Sequence, residues 1–336
     1  MITLSISIAL IGFGYWGPNI AKNIAASKKT RLYAICEANS QRLERARNMY
    51  VSADVKLVSD YHQLLDDPNV DAVAIATATQ FNYRIAMDAI AAGKHLFIEK
   101  PMTATSAQAR EIAEAAEKKG IIIHVDHIMV YHNIIEYIKN IIDSGDLGEL
   151  LYYDSSRINL GPIRKDVNAM LDLAVHDLAV IDYMSNGKTP FAVSAAGGVD
   201  YANQEALTYL TMKYDNFIAH IKSSWISPVK ERRIIVGCTK KMIIFDDVKA
   251  TDKLIIYDSG IEVETTDVCG EYEYKVRTGD TIAPFFDNKD ALLASVEHFA
   301  DCINSGIQSR SSPLQAIRVI EILERAQECM QAGNGY

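Results

Sequence analysis

The sequence predicts an α/β protein in two parts, a doubly wound parallel sheet over residues 1–123 and an α+β part with a large, mostly antiparallel sheet over residues 124–336. Three observations predict it. Up to about residue 123, apolar strand-like runs alternate with amphipathic helical stretches, the pattern of βαβ units. Beyond residue 150 the strand-like runs follow one another through hairpin signals such as Tyr214-Asp215-Asn216. The length of 336 residues allows two hydrophobic cores.

The first strand, 5–11, is an Ile-rich run without polar alternation, as expected of a strand buried on both faces. It runs directly into Gly12-Phe13-Gly14-Tyr15-Trp16-Gly17, and a helical pattern follows over 19–27. Three glycines at this spacing meet three needs: a tight turn, close approach of backbone to a pyrophosphate, and close packing of helix on strand. The helix N-terminus then offers free N–H groups and the positive end of its dipole to the phosphates. The second strand, 31–36, ends at Glu37, about 20 residues past the last glycine, where an acid accepts ribose hydroxyls. A G-x-G-x-x-G alone also occurs in ordinary β-α turns; between this strand and this helix, with this acid, it predicts dinucleotide binding. The charge of Glu37 repels a 2′-phosphate, which favours NAD(H), while Arg42 nearby leaves NADP(H) open.

Further strands are expected at 72–76, 95–98 and 121–125, with helices near 40–49, 82–93 and 105–119. The last of these has Thr105 at its start and Lys118-Lys119-Gly120 as its stop. In the second part, strands are expected at 150–158, 191–198, 206–214, 218–225, 232–236 and 241–246, and helices at 132–144, 170–185, 289–305 and 313–331.

Composition narrows the function classes. A net charge of −9 and the lack of any Lys/Arg block argue against a nucleic-acid or anionic-membrane surface. Cys36, Cys238, Cys269, Cys302 and Cys329 are scattered, odd in number and form no C-x-x-C pair, which argues against structural zinc and a disulfide framework. No metal site is expected. With neither a charged leader nor an apolar run of membrane-spanning length, the chain is expected to be cytoplasmic.

Two short motifs can carry chemistry. Glu99-Lys100-Pro101 closes the strand 95–98, and proline fixes the backbone that presents the amine; the plainer reading is a surface lysine in a strand-end turn. Asp172 and His176 are four apart, so a helix puts them on one face, where a carboxylate orients an imidazole and tunes its pKa. The plainer reading is a satisfied core histidine among Leu171, Leu173, Ala174, Val175 and Leu178. Asp177 reads as a helix N-terminal or surface acid.

Together with the nucleotide motif these segments resemble the Gfo/Idh/MocA oxidoreductase family from end to end. The likeness runs through Gly12–Gly17, Glu99-Lys100-Pro101, Asp172-x-x-x-His176, Ser224-Trp-Ile-Ser-Pro228 and the last helix. It implies an NAD(P)-binding Rossmann domain and an open-faced substrate domain whose sheet makes homo-oligomers, dimers or tetramers. It also implies nicotinamide-dependent redox chemistry on sugars or cyclitols, with Lys100, Asp172 and His176 at the reacting hydroxyl. Cofactor contacts are then expected from Gly12, Phe13, Gly14, Tyr15, Trp16, Gly17, Glu37, Thr77, Thr79, Asn82, Glu99 and Lys100.

Two departures from the family pattern stand out. Thr77-Ala78-Thr79-Gln80-Phe81-Asn82 replaces Thr-Pro-x-x-x-His, and Val167-Asn168 replaces Gly-Gly. The stretch from Arg157 through Asp166 to Asp177 resembles the subgroup of UDP-N-acetylglucosamine-derivative 3-dehydrogenases. This implies that Asn168 contacts a substrate hydroxyl and that Arg157 and Arg164 hold a diphosphate or a uronate, as guanidinium groups do. The expected activity is oxidation of a sugar hydroxyl, most naturally at C3, with His176 as base and Lys100 on the oxygen; Lys100 as base fits as well. The rival readings are a reductase of a 3-keto nucleotide sugar, a dehydrogenase of a free sugar or inositol, and a nucleotide-sensing regulator without catalysis.

Overall fold

The computed structural model describes residues 5–51, 54–165, 167–265 and 272–333; Asp166 and Cys269 lie outside the described residues. The chain divides into two compact units, residues 1–132 with 289–321 and residues 133–288 with 322–336.

The first unit is built on the parallel strands β1 (Ile6–Ile11), β2 (Thr30–Cys36), β3 (Lys56–Val58), β4 (Ala72–Ile75), β5 (His95–Ile98) and β6 (Ile123–Val125). They lie in the order β3-β2-β1-β4-β5-β6, the doubly wound order with its switch point between β1 and β4. Helices α1 (Gly17–Ala26), α2 (Ser40–Met49), α3 (His62–Leu65), α4 (Thr79–Ala91) and α5 (Ser106–Lys119) make the crossovers. Their boundaries follow local chemistry. Pro18 opens α1, the Asn39 side chain accepts the Arg42 N–H at the start of α2, and left-handed Gly120 ends α5. Strand β3 and the single turn α3 were not expected from the sequence; three and four residues are too few to show a period.

Among the described residues four α-helices follow: α6 (Asn133–Asp143), α7 (Val175–Met184), α8 (Ala291–Ser305) and α9 (Pro313–Gln331). Two of them change the expected division at residue 123. Alternate strand residues feed two cores. Ala9, Ile11, Val73, Ile75 and Leu96 pack under α4, α5 and the start of α9, through Ala316, Ile317 and Ile320. Ile8, Leu10, Ala72, Ala74 and Phe97 pack under α1 and α8, through Leu292, Val296, Phe299 and Ala300. A parallel sheet must be covered on both faces, and the helices within the first 123 residues leave part of each face bare. The first unit therefore also takes in residues 124–132 and 289–321. Backbone and side-chain bonds fasten the return: Val125 N–H donates to Ser311 O at 2.9 Å, and His124 bonds Ser295 and Ser309.

The second unit holds β7 (Leu150–Leu160), β8 (Ala192–Tyr201), β9 (Gln204–Lys213), β10 (Ile218–Ser224), β11 (Ile226–Cys238), β12 (Met242–Asp246), β13 (Leu254–Thr265) and β14 (Tyr272–Ile282). Their order is β14-β13-β12-β11-β7-β10-β9-β8, antiparallel throughout except for the β7–β10 pair. The hairpin expected at Tyr214-Asp215-Asn216 joins β9 to β10 with Lys213 opposite Ile218. Ala206, Leu210, Met212, Ala219 and Ile221 turn to the buried face, and Trp225 packs with Ala169 and Ala206. Beyond the expected strands lie β13 and β14, where Ile261 faces Val276 and Val263 faces Tyr274 across the ladder, all four exposed. Among the described residues no helix is long and apolar enough to cross a membrane.

Candidate functional site

The glycine turn between β1 and α1 separates the three glycine roles by distance. Gly12 has φ +96°, and a Cβ there would lie 2.5 Å from the Ala76 carbonyl oxygen. A Cβ on Gly17 would lie 2.4 Å from the Gly12 carbonyl oxygen, so this glycine lets α1 pack against the turn. On Gly14 a Cβ would meet nothing nearer than Arg42 Nη1 at 3.8 Å. The space over Gly14 is thus open on the protein side, as a pyrophosphate approaching the backbone requires. Beside it the Tyr15 ring is 92% exposed and stacks on Trp16, while the Phe13 side chain is buried in the core and can offer only its backbone.

Glu37 is locked in place. Its Oε2 accepts the Phe13 N–H and its Oε1 accepts the Asn39 N–H, each at 2.8 Å. The carboxylate therefore bridges the glycine turn and the start of α2, and each oxygen keeps acceptor capacity for a ribose hydroxyl. Glycine turn, helix N-terminus and acid fit a nicotinamide dinucleotide.

The loop after β4 carries Thr77, Thr79 and Asn82. Thr77 Oγ1 donates to Asn82 Oδ1 at 2.8 Å, and Asn82 Nδ2 donates to the Pro101 carbonyl at 3.2 Å. Asn82 is 2% exposed and braces this loop against the Lys100–Pro101 turn. The Lys100–Pro101 peptide is cis. Glu99 N–H donates to the Ile75 carbonyl at 2.9 Å, which holds the turn at the carboxyl edge of the sheet, with Lys100 half-buried.

At the same edge sits Asp126, which the sequence reading passes over; the usable signal is an acid directly after the apolar strand β6. Asp126 is fully buried, and its Oδ1 accepts the Ser295 hydroxyl at 2.8 Å. Burial first, and then the charge of Asp126, hold Glu99 well above the usual carboxylate range, with Lys100 acting against the shift. Burial likewise raises Asp126, against the Ser295 hydroxyl, the Trp16 indole and Lys100. Burial pushes the Cys36 thiol up to about 12 and those of Cys238 and Cys302 to about 11.

In the second unit the expected helix 170–185 begins as a π-helical turn, Met170–Ala174, before α7. Such wide turns recur at functional sites because they re-aim side chains. Asp172 lies in this turn and His176 in the first turn of α7, both half-buried, so His176 is not sealed in the core. Asp172 Oδ2 accepts the Trp225 indole N–H at 3.2 Å, and Arg164 Nη1 stands 3.7 Å from Oδ1. Trp225 is a positioning partner that the spacing of Asp172 and His176 could not reveal.

Two residues expected to bind substrate are engaged elsewhere. Arg157 is buried and donates through Nε to Asp177 Oδ2 at 2.9 Å and through Nη2 to Oδ1. It neutralises a buried acid within the unit: Asp177 lies in the first turn of α7, the helix N-terminal place it reads as, and is buried there, not at the surface. Asn168 is buried too: its Oδ1 accepts the Leu171 N–H at the start of the π turn and its Nδ2 donates to Glu205. It caps the turn that carries Asp172.

A parallel sheet in this order, with a glycine turn braced by an acid at its carboxyl edge, defines a dinucleotide-binding Rossmann domain. Residues 6–127 match a family model described as "Oxidoreductase family, NAD-binding Rossmann fold", and residues 135–244 match the "GFO/IDH/MocA C-terminal domain". The chain belongs to the Gfo/Idh/MocA oxidoreductase family, and its first unit is the NAD-binding domain. It is 24% identical over 316 residues to scyllo-inositol 2-dehydrogenase (NAD(+)) of Bacillus subtilis, across 89% of this chain and 86% of that protein. It is 26% identical over 190 residues to inositol 2-dehydrogenase of Salmonella paratyphi B, a match that spans 54% of this chain and only 55% of that relative. Among solved structures, UDP-N-acetylglucosamine 3-dehydrogenase GnnA from Acidithiobacillus ferrooxidans superposes with TM-score 0.81 at 23% identity, over 98% of both chains. GenD2 from gentamicin A biosynthesis, solved in complex with NAD, superposes with TM-score 0.81 at 19% identity, over 99% of this chain and 96% of that one. At these identities the shared property is the fold.

Proposed function

We propose that this protein is an NAD-dependent dehydrogenase that oxidises a secondary hydroxyl, C3, of a nucleotide-linked sugar such as a UDP-N-acetylamino sugar or its uronate. The observation that carries the reading is Asp172, held by Trp225 on a π-helical turn, just ahead of a half-buried His176. A structural histidine needs no such turn. The bound nicotinamide supplies the hydride acceptor. The His176 imidazole accepts the hydroxyl proton, and Lys100 donates a hydrogen bond to the reacting oxygen and stabilises its developing negative charge. Arg164, half-exposed beside Asp172, holds the diphosphate or uronate of the substrate, while Arg157 is committed to Asp177. Glu37 favours NAD over NADP by repelling a 2′-phosphate. The exposed ladder of Ile261, Val263, Tyr274 and Val276 supports a homo-oligomer formed through the β13–β14 edge.

A second reading, oxidation of a free cyclitol, draws on the inositol dehydrogenases among the relatives. UDP-sugars, dTDP-sugars, free hexoses and inositols, assayed in both directions after measuring cofactor that co-purifies, separate the two. Turnover of free polyols alone would overturn the nucleotide-sugar reading. Lys100→Met and His176→Asn are each expected to lower kcat by at least about 10²-fold, with cofactor affinity nearly unchanged. The double variant is expected to lose far less than the product.

A further inference from the structure

Glu99 and Asp126 lie side by side at the carboxyl edge of the first unit's sheet. Ile98 of β5 pairs with Val125 of β6 in parallel register, and Asp126 N–H donates to the Ile98 carbonyl at 2.8 Å. The next residue along each strand is an acid. Each hides one oxygen, Glu99 Oε2 and Asp126 Oδ2, from solvent and from every hydrogen-bond donor among the described residues. Lys100 supplies one positive charge to the cluster. Two carboxylates with one ammonium would leave a net negative charge in a buried place, which is costly; a proton held by the pair neutralises it.

The donors decide which acid keeps that proton. Asp126 receives the Ser295 hydroxyl and faces the Trp16 indole, both of which favour its charged form. Glu99 receives the Lys100 backbone N–H, which counts for less there than burial and the Asp126 charge. Ser295 has a single hydrogen; given to Asp126, it obliges the Ser295 oxygen to accept from His124 Nε2 at 2.8 Å. His124 Nδ1 must then accept from Ser309 Oγ at 3.0 Å, which fixes the neutral tautomer. Burial holds His124 well below its ordinary pKa, with His298, His127 and Arg310 adding to the effect. The chain Ser309–His124–Ser295 thus aims its last hydroxyl at Asp126.

We propose that Glu99 and Asp126 form an acid–carboxylate pair, with the proton on Glu99 and the charge on Asp126, that positions Lys100 for the reacting hydroxyl. The positioning role rests on the function proposed for Lys100; the shared proton does not. Infrared spectra of the wild-type protein at neutral pH are expected to show a protonated-carboxyl band that shifts in deuterium oxide. It is expected to vanish in Glu99→Gln, which removes the acid, and in Asp126→Asn, where Glu99 faces Lys100 alone and ionises. A wild-type protein without the band, or a band surviving in both variants, overturns the pair. No substrate is needed, so this result is independent of the functional reading. In the Glu99→Gln/Asp126→Asn double variant Lys100 loses the charge of Asp126, and kcat is expected to fall by about tenfold or more with KM and NAD affinity nearly unchanged, a split that mere loosening would not give. An unchanged kcat in a double variant that melts as a folded protein overturns the positioning role.

Discussion

Gly14→Ala and Gly17→Ala add the same methyl group three positions apart and are expected to fail in opposite ways. In Gly17→Ala the Cβ would sit 2.4 Å from the Gly12 carbonyl oxygen, and backbone cannot swing aside as a side chain can. Overpacking of this kind costs roughly 1–3 kcal/mol. At about 2–4 °C per kcal/mol for a unit of this size, the melting temperature falls by about 2–12 °C. In Gly14→Ala the Cβ has no neighbour within 3.8 Å, and the residue is outside the left-handed region, so the melting temperature of the apo protein stays within about 1 °C of wild type. What the methyl occupies is the approach to the backbone N–H groups. Losing one charge-assisted hydrogen bond of about 1.5–3 kcal/mol weakens NAD binding by about ten- to a hundredfold. Differential scanning fluorimetry and NAD titration calorimetry on both variants are the assays. A Gly14→Ala protein that binds NAD as tightly as wild type would refute the assignment of Gly14 to the pyrophosphate. A Gly17→Ala protein that melts with wild type would refute the packing argument.

Three further outcomes are expected. Arg157→Met leaves Asp177 charged and buried without its partner and lowers unfolding stability by about 3–5 kcal/mol in urea titrations; wild-type stability would mean that Asp177 finds water or another donor. His298 accepts the Arg310 N–H at Nε2, and burial first, then the Arg310 charge, lowers its pKa from 6.5 to about 4. Between those values the unfolded chain binds more protons, so the stability His298 contributes is complete above 6.5 and is lost as pH falls to about 4. In His298→Gln the fall in melting temperature over that interval is expected to be shallower, and an unchanged slope would show that other groups govern it. Val263→Glu with Val276→Glu is expected to shift the protein toward monomer in sedimentation experiments; an unaltered distribution would remove the β13–β14 edge from the interface.

Much of the first unit was legible because its signals are local. Buried strands announce themselves as unbroken apolar runs, α5 carries both a cap and a stop, and the spacing of Gly12, Gly14, Gly17 and Glu37 encodes the turn after β1 and the acid that braces it. The expected strand 95–98 and helix 40–49 coincide with β5 and α2 for that reason. The β13 and β14 strands alternate in sequence, as Ile261-Glu262-Val263 and Tyr274-Lys275-Val276 show, but Gly260 and Gly279 interrupt the runs, and the buried Leu254 and Ile256 lie at the start of β13, ahead of the alternating stretch. Only the tertiary structure could assign α8 and the start of α9 to the first unit, since which sheet a helix covers depends on the face left bare by residues far away in the chain. It also decided which polar residues are spent inside the protein. Arg157 and Arg164 look alike in sequence, yet one meets Asp177 in the core and the other stays half-exposed beside Asp172. Asn82 and Asn168 read as ligand contacts, and within the protein one bonds the Pro101 carbonyl and the other the Leu171 N–H. Asp126 gains its meaning from Glu99 and Ser295, 27 and 169 positions away along the chain by count, because a buried charge is defined by its neighbours in space and not by those in sequence.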